Sequence, residues 1–403
     1  MPLASHSKAP IYWMAVGTFA IGTEGFMIAP LLPRLAGDLK VSVAEAGQLV
    51  TVFALTYALS SPILTALTGA LNRRRLLVFS MIGFAAANGV AFAARDYWML
   101  MGARVLLAVA AGLYAPNANA LAGALVSAER RGSALAIVSG GTSIAVALGV
   151  PLGSMVGVKF GWRAMFVGVG VLALIATLGL LAGLARDVGS KLHVTSLRER
   201  IGVIRQPGVL RTLLVTTLWA TGAYTVYTYI ATFLHATAGI EGAYLSAVLF
   251  VWGLSAAIGI FAGGTLTDRH GPEPVIVLGL ALTALAFGGL SVSAAFLSKA
   301  VAGGPIMVAI VVWGLSGWAF FPAQQTRLIG VAGIRVAPIA LSLNASFMFL
   351  GFSLGAAIGS ATLTYAAPSA LGWVGGLWLL LSLLLSVRTI RSTRALAEPA
   401  LQQ

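Results

Sequence analysis

Long apolar stretches recur along the whole chain, and short polar segments separate them. Each stretch has roughly the 20 residues that a helix needs to cross about 30 Å of hydrocarbon. Because lipid offers no hydrogen-bond partners to an exposed backbone, every stretch is predicted to be helical. The predicted spans, numbered 1 to 12, are 11–33, 46–70, 75–94, 98–124, 133–157, 163–185, 210–234, 244–267, 274–296, 303–328, 336–364 and 370–387. The pattern therefore predicts an all-α integral membrane protein with 12 transmembrane helices.

The longest polar break leaves six predicted spans before it and six after it. It contains Leu197 and Ile201 among charged residues, a spacing typical of a short amphipathic helix that lies on the membrane surface. The predicted domains are an N-terminal six-helix bundle (1–185), a cytoplasmic linker with this amphipathic segment (186–209) and a C-terminal six-helix bundle (210–403).

Composition and charge agree with a membrane location. Of 403 residues, 59% are hydrophobic and 9% are charged, whereas soluble domains carry about 25% charged residues. The net charge of +14 does not indicate a nucleic-acid partner, because the Lys and Arg residues lie mostly in alternate loops. The positive-inside rule then places both termini in the cytoplasm. We expect a multi-pass membrane protein with both termini in the cytoplasm.

Several kinds of chemistry are not supported by the sequence. There are no cysteines, and the four His residues are scattered, so we expect neither a metal site nor a cofactor. No G-x-x-x-x-G-K-[ST] loop is present for direct ATP hydrolysis. A membrane enzyme would need a polar catalytic cluster, but the acidic residues are mostly isolated. A non-transporting sensor usually has an added soluble domain. Both stay as less favoured alternatives to a transporter.

One loop carries a family signature. After span 8 the chain reads Gly264-Thr-Leu-Thr-Asp268-Arg269-His-Gly271, which resembles the G-x-L-x-D-R-x-G loop of the major facilitator superfamily. The equivalent segment after span 2, residues 69–75, lacks the aspartate. The resemblance implies that Asp268 and Arg269 form a latch at the cytoplasmic gate. The alternative is an ordinary topogenic loop.

Span 5 adds a second signature. Gly140, Gly149, Pro151 and Gly153 form a shortened version of the antiporter motif G-x8-G-x3-G-P-x2-G-G. With segment 22–26, the chain resembles the sugar and arabinose efflux branch of the drug:proton antiporter-1 family. The resemblance implies two pseudo-symmetric six-helix bundles around a cavity lined by spans 1, 4, 7 and 10, with rocking alternating access. For the glycines alone, generic small-residue packing is the alternative.

Only Glu24 and Arg104 place a charge deep inside predicted spans. Such a residue costs about 2.5–3.5 kcal/mol to insert, so we expect compensation. At 1.5 Å per residue, Glu24 lies about 20 Å from the cytoplasmic face and Arg104 about 9 Å from the outer face, at similar depth. Burial favours a neutral carboxyl and a nearby Arg favours an ionised one. We therefore predict a proton-coupling site, with a fixed structural pair as the alternative.

Aromatic and amide side chains recur at one-face spacing on spans 7 and 10, and Tyr57 on span 2 and Asn344 on span 11 are further polar groups in apolar runs. A cavity with aromatic walls and few hydrogen-bonding groups suits an amphipathic or hydrophobic ligand. Lipid contact or the interfacial aromatic belt is the alternative for each aromatic residue. The substrate-cavity candidates are Tyr57, Trp219, Tyr227, Trp313, Phe320, Gln324 and Asn344.

The predicted function is export of a small molecule, such as a drug, sugar or other metabolite, in exchange for protons. Proton-coupled uptake and uncoupled facilitation are the alternatives within transport. The expected partners are the substrate, protons and membrane lipid, and we expect a monomer.

Overall fold

The computed structural model describes residues 9–69, 71–127, 130–185 and 196–397. The first part of the chain forms α1 (Ala9–Met27), α2 (Leu32–Leu39), α3 (Val43–Leu67), α4 (Arg73–Ala93), α5 (Tyr97–Ala124), α6 (Arg131–Ile144), α7 (Val150–Phe160) and α8 (Trp162–Gly183). The second part forms α9 (Leu197–Ile204), α10 (Pro207–Tyr227), α11 (Ile230–Ala238), α12 (Gly242–His270), α13 (Pro272–Phe296), α14 (Lys299–Ala332), α15 (Ala337–Tyr365) and α16 (Ala370–Ala397). Within the described ranges, 11 helical segments are long and apolar enough to cross a membrane.

The predicted seventh span, 210–234, is the one that is absent from these 11 segments. It is built from α10 and α11, with a break at Thr228 and Tyr229. Threonines lower the hydropathy of α10, yet Thr221 and Thr225 are buried and each donates to a backbone carbonyl four residues earlier at 2.8 Å. Because these hydroxyls are satisfied within the helix, α10 can be buried despite its polar content.

The predicted fifth span is not a uniform α-helix. A π-helical turn, Ala145–Gly149, lies between α6 and α7. Pro151 follows immediately and has no backbone N–H to donate, so the regular α-helical hydrogen-bond ladder is interrupted near this point. Turns of this type occur mostly as single insertions in α-helices, often at functional sites.

Helix contacts divide the chain into two compact units. The first unit comprises residues 1–28 and 59–196, and the second unit comprises residues 29–58 and 197–403. The predicted domains are consecutive segments of the chain, whereas these units group residues by their contacts. The predicted domain boundaries therefore stay a prediction.

Residues 29–58 join the second unit through α3. Gln48 Nε2 donates to Ser360 Oγ on α15 at 3.0 Å, and Ser353 Oγ donates to the Thr51 carbonyl at 3.0 Å. Gly47 lies against the Tyr229 ring so closely that an added Cβ would be 1.9 Å from the Tyr229 hydroxyl oxygen. The first half of α3 is thus attached to α15 by hydrogen bonds and packs closely against Tyr229, between α10 and α11.

In the second unit, α10 packs against α14, α15 and α16, while α14 also packs against α12 and α13. Gly351 and Gly355 let α15 approach α10, since an added Cβ at either would lie 2.4 Å from a backbone carbonyl oxygen of α10. Small residues allow this close approach between membrane helices. The aromatic and polar side chains of α10 are thereby brought close to those of its neighbours.

The described part of the predicted linker, residues 196–209, contains α9 and the beginning of α10, and residues 186–195 lie outside the described ranges. Arg200 on α9 donates from Nη1 to Ser342 Oγ of α15 at 3.0 Å, and burial lowers the pKa of its guanidinium. Val203 packs in a buried apolar group with Leu213 and Leu343. The helix is therefore attached to the second unit by a hydrogen bond and by apolar packing.

Candidate functional site

Glu24 on α1 and Arg104 on α5 meet in the core of the first unit. Both side chains are completely buried, and Arg104 Nη1 donates to Glu24 Oε1. The second carboxylate oxygen, Oε2, has no hydrogen-bond partner among the described residues. This arrangement leaves one buried carboxylate oxygen that is able to accept a proton while the other remains bound to Arg104.

A second contact joins the same two helices. Tyr114 Oη on α5 donates to the Met14 carbonyl on α1 at 3.2 Å, and an added Cβ at Gly17 would lie 2.2 Å from Tyr114 Oη. Sequence reasoning did not single out Tyr114, although it lies on the same helix as Arg104. The two contacts fix α1 against α5 at two levels.

Another part of α1 packs against the predicted fifth span, which comprises α6, the π-helical turn and α7. An added Cβ at Gly149 would lie 2.2 Å from Thr23 Oγ1, and one at Gly22 would lie 2.8 Å from Ala145 Cβ. Gly149 therefore leaves room for the residue that directly precedes Glu24. The π-helical turn and the buried acid thus occupy the same part of the first unit.

The other antiporter-motif residues are placed differently. An added Cβ at Gly140 would have no neighbour within 4 Å, whereas one at Gly153 would lie 2.7 Å from Met165 Cε. Pro151 is buried. The motif positions therefore do not form one surface, and Gly149 is the one that borders Thr23.

Six aromatic residues of the second unit contact one another and are called the aromatic cluster here: Trp219, Tyr227, Trp252, Trp313, Trp318 and Phe320. The ring centroids of Trp219 and Phe320 are 5.0 Å apart, and those of Tyr227 and Trp252 are 4.9 Å apart. The four aromatic cavity candidates predicted on spans 7 and 10 are thus brought into one group.

Trp252 and Trp318 belong to this group but were missed by sequence reasoning. The buried positions of α12 recur at intervals of three and four residues, and this spacing could have identified Trp252 as inward-facing. Trp318 is only partly buried, and its ring centroid lies 6.2 Å from that of Trp219 and 6.5 Å from that of Trp252. Trp318 therefore connects two sides of the aromatic cluster.

The two predicted amides lie together beside α10. Gln324 Nε2 donates to the Thr212 carbonyl at 2.7 Å and to Thr216 Oγ1 at 3.2 Å, and Thr216 Oγ1 donates to Asn344 Oδ1 at 2.8 Å. These four residues are called the amide cluster here. Since a carbonyl only accepts, the Gln324 atom facing Thr212 must be the amide nitrogen. Gln324 Oε1 then stays buried without a hydrogen-bond partner in the described chain.

Tyr57 is linked to the aromatic cluster through an aromatic row. Its ring stacks on Phe349 at 3.8 Å, Phe349 contacts Phe352 at 5.3 Å, and Phe352 stacks on Tyr224 at 3.7 Å. Tyr224 in turn lies 5.4 Å from Tyr227. The structure therefore connects Tyr57 to Tyr227 through side chains that sequence reasoning did not select.

Comparison with known proteins decides the family. The family model described as Major Facilitator Superfamily matches residues 14–337. The chain belongs to this superfamily. It is 31% identical over 95% of its length, and 96% of the relative, to the uncharacterized MFS-type transporter YbcL of Bacillus subtilis (strain 168). It is 30% identical to a chloramphenicol resistance protein of Streptomyces lividans, covering 96% of this chain and 98% of that one.

Solved structures agree on the fold. A crystal structure of a mutant of the nucleoside transporter NupG superposes with a TM-score of 0.73, covering 94% of this chain and 99% of that one at 12% sequence identity. The all-α prediction and the major facilitator fold are confirmed. The protein is a multi-pass membrane transporter of this superfamily, and not an enzyme.

The predicted gate residues of this transporter lie at the end of α12. Asp268 and Arg269 are exposed, and Gly264 is partly buried. Gly271 has a φ of +79° where α12 ends and α13 begins, a conformation that favours glycine. The turn geometry explains Gly271, while the latch role of Asp268 and Arg269 stays a prediction.

The sections of α10, α12 and α14 that carry the transporter's aromatic cluster contain no charged residues. Asp, Glu, Lys and Arg are absent from residues 212–227 of α10, 243–267 of α12 and 300–326 of α14. In the part of the chain that the structure describes, no group of three or more His, Asp or Glu residues could hold a metal ion. The buried acid of the first unit and the aromatic cluster of the second unit thus differ sharply in chemistry.

Proposed function

We propose that this transporter exports a small molecule in exchange for protons, with Glu24 as the proton-binding group and Arg104 as its partner. The observation that carries the proposal is a fully buried carboxylate with one oxygen on Arg104 and the other, Oε2, without a hydrogen-bond partner in the described chain. Ionisable groups inside membrane spans are costly and usually functional.

A proton on Oε2 changes the balance of this pair. It converts the carboxylate to a neutral acid, so that the Arg104 charge loses its counter-ion in a low-dielectric interior. A conformation that gives Arg104 another partner or more water is then favoured over the one described here. Loss of the proton restores the ion pair. Protonation and conformation are coupled in this way, which is what exchange transport by rocking alternating access requires.

The cargo is proposed to contact the second unit. The aromatic cluster offers large apolar faces, and the amide cluster offers Gln324 Oε1, a buried acceptor without a partner among the residues that the structure describes. A few polar groups among aromatic walls are typical of small-molecule sites. The name of the Streptomyces lividans relative supports a drug-like cargo and export, and makes chloramphenicol the first cargo to test.

Transport by inverted vesicles tests this proposal. Vesicles containing wild-type protein are expected to accumulate chloramphenicol when their interior is acidified, with chloramphenicol entry matched by proton exit read from an internal pH dye. Glu24→Gln cannot bind and release a proton in this way, so its accumulation should no longer respond to the gradient. Exchange of labelled for unlabelled chloramphenicol without a gradient should persist.

Glu241→Gln is the matched control, because Glu241 is an exposed acid paired with His235 outside the candidate site. It should behave as wild type. Full gradient dependence in Glu24→Gln would remove Glu24 from the coupling mechanism. Accumulation driven by a gradient of the opposite sign would indicate uptake instead of export.

Orientation, location and assembly are part of the same proposal. The distribution of Lys and Arg supports cytoplasmic termini in a bacterial cytoplasmic membrane, and we propose a monomer as the working unit. Protease protection of tags placed at the two termini, in right-side-out and inverted vesicles, tests the orientation.

A further inference from the structure

Two indole N–H groups of the aromatic cluster are buried without an acceptor among the described residues. Trp219 and Trp252 are each 3% exposed, and the Nε1 atom of each lacks a hydrogen-bond partner among the described residues. A buried indole N–H usually has a partner, because leaving it unpaired costs free energy. Two such donors in one cluster indicate that something outside the protein can supply acceptors.

The two donors belong to the same aromatic surface. Trp219 lies on α10 and Trp252 on α12, and both rings contact Trp318 of α14. Since Trp318 is only partly buried, this surface has an accessible side. Phe320 and Tyr227 extend it with rings inclined by 31° to Trp219 and 32° to Trp252, respectively. Such faces favour a planar partner that stacks on aromatic rings.

The charge distribution argues against a cationic ligand. The middle sections of α10, α12 and α14 contain no Asp, Glu, Lys or Arg. A cation beside these sections would meet ring faces but no carboxylate from them, and two N–H dipoles would point positive charge at their surroundings. An anion would lack a basic partner. A neutral ligand avoids both costs.

We propose that Trp219 and Trp252 form a binding site for neutral, planar, aromatic molecules that carry hydrogen-bond acceptors, such as nitro or carbonyl oxygens. This inference deepens the proposed function, since it names the class of cargo for the aromatic cluster. Each indole N–H donates to an acceptor of the ligand while neighbouring rings stack on it. Gln324 Oε1 lies one helical turn beyond Phe320 and has no partner within the described ranges. It accepts from a ligand hydroxyl or amide N–H.

Equilibrium binding to purified full-length protein in detergent tests the site. Labelled chloramphenicol and 4-nitrobenzamide are the neutral probes, and tetraphenylphosphonium is the aromatic cation. Trp219→Phe and Trp252→Phe keep an aromatic ring but remove the N–H donor. Each should weaken binding of the neutral probes about three- to tenfold, the loss expected for one hydrogen bond. Tetraphenylphosphonium should compete weakly and equally in all variants.

Trp98→Phe is the matched control, because Trp98 is 75% exposed and lies on α5 in the first unit. It should bind both neutral probes as wild type does, and thermal unfolding in detergent shows that each variant is folded. Unchanged affinity in both Trp219→Phe and Trp252→Phe overturns the inference. Tighter binding of the cation than of the neutral probes, or no saturable binding of either neutral probe, also overturns it.

The test separates this site from the coupling mechanism. Binding is measured without a gradient and with Glu24 intact, so the effect of each Trp→Phe variant does not depend on proton coupling. Normal coupling in Glu24→Gln would refute the proton site and leave the binding result intact. Unchanged binding of the neutral probes in both Trp219→Phe and Trp252→Phe would refute the proposed class of cargo. The proposal for the proton site would then still stand.

Discussion

The candidate proton site of the first unit and the candidate cargo site of the second unit are built from different polar groups. The site in the first unit is an ion pair between Glu24 and Arg104. The aromatic and amide clusters of the second unit hold uncharged indoles, hydroxyls and amides, such as Trp219, Thr216 and Asn344. A charge responds to protonation, whereas an amide or indole does not titrate near neutral pH. The comparison suggests that coupling belongs to the first unit and cargo recognition to the second.

The contrast extends to how each polar group is supported. Glu24 directly follows Thr23 in α1. Thr23 packs against the π-helical turn and fits there because residue 149 is glycine and has no side chain. In the amide cluster, Gln324, Thr216 and Asn344 support one another by a chain of hydrogen bonds. The charged pair depends on close backbone packing, and the neutral cluster depends on a network.

The largest expected effect comes from breaking the ion pair. Arg104→Gln leaves a buried carboxylate without its positive partner and should lower the stability of the folded protein by about 3–5 kcal/mol. The double variant Glu24→Gln, Arg104→Gln should recover most of this loss, because no buried charge remains. Thermal unfolding in detergent measures both. Equal stability of wild type and Arg104→Gln would show that the pair is not buried as described.

A smaller effect is expected from filling the space at Gly149, in the π-helical turn of the predicted fifth span. Gly149→Ala places a methyl group against Thr23 and should cost about 1–3 kcal/mol through overpacking. Gly140→Ala is the control, since its Cβ meets nothing within 4 Å, and it should be neutral or stabilising by about 0.5–1 kcal/mol. Thermal unfolding separates them, and Thr23→Ala should relieve the Gly149→Ala defect. Similar stability of the two single variants would contradict this account of Gly149.

The smallest effect is expected in the neutral network. Gln324→Leu keeps the side-chain volume but removes the hydrogen bonds to Thr212 and Thr216. This change should lower the free energy of unfolding by about 1 kcal/mol. Because no charge is involved, the dependence of export on pH should keep its shape while cargo affinity falls. Initial rates of chloramphenicol export across a range of pH values measure this. A shifted pH profile would mean that the second unit also takes part in coupling, and the comparison would fail.

The sequence was most informative where its signals were compositional. Length and hydropathy predicted the helical class and nearly all spans, because only helices satisfy the backbone in lipid. Span 7 shows the limit of this reasoning, since the threonines of α10 lower its hydropathy while their hydroxyls are satisfied within the helix. The sequence also identified the two residues of the buried ion pair, because Glu24 and Arg104 interrupt apolar runs at similar predicted depth.

The candidate site was only partly predictable. Trp219, Tyr227, Trp313 and Phe320 were selected by one-face spacing on two spans, but Trp252 and Trp318 were not. Spacing identifies which residues share a helix face and carries no information about which helix that face meets. The link from Tyr57 to Tyr227 likewise depends on Phe349 and Phe352 of α15, far away in the chain.

The sequence by itself determined that this protein is helical, spans a membrane and carries one acid and one base deep within its predicted spans, since hydropathy and the cost of charge act locally along the chain. Only the tertiary structure decided that Arg104 binds one oxygen of Glu24, that Gly149 accommodates Thr23, and that the first half of α3 packs with the second unit. It also decided that two indole N–H groups are buried without acceptors in the part of the chain that the structure describes. These features depend on how helices pack, and packing is fixed by contacts between residues that are distant in sequence.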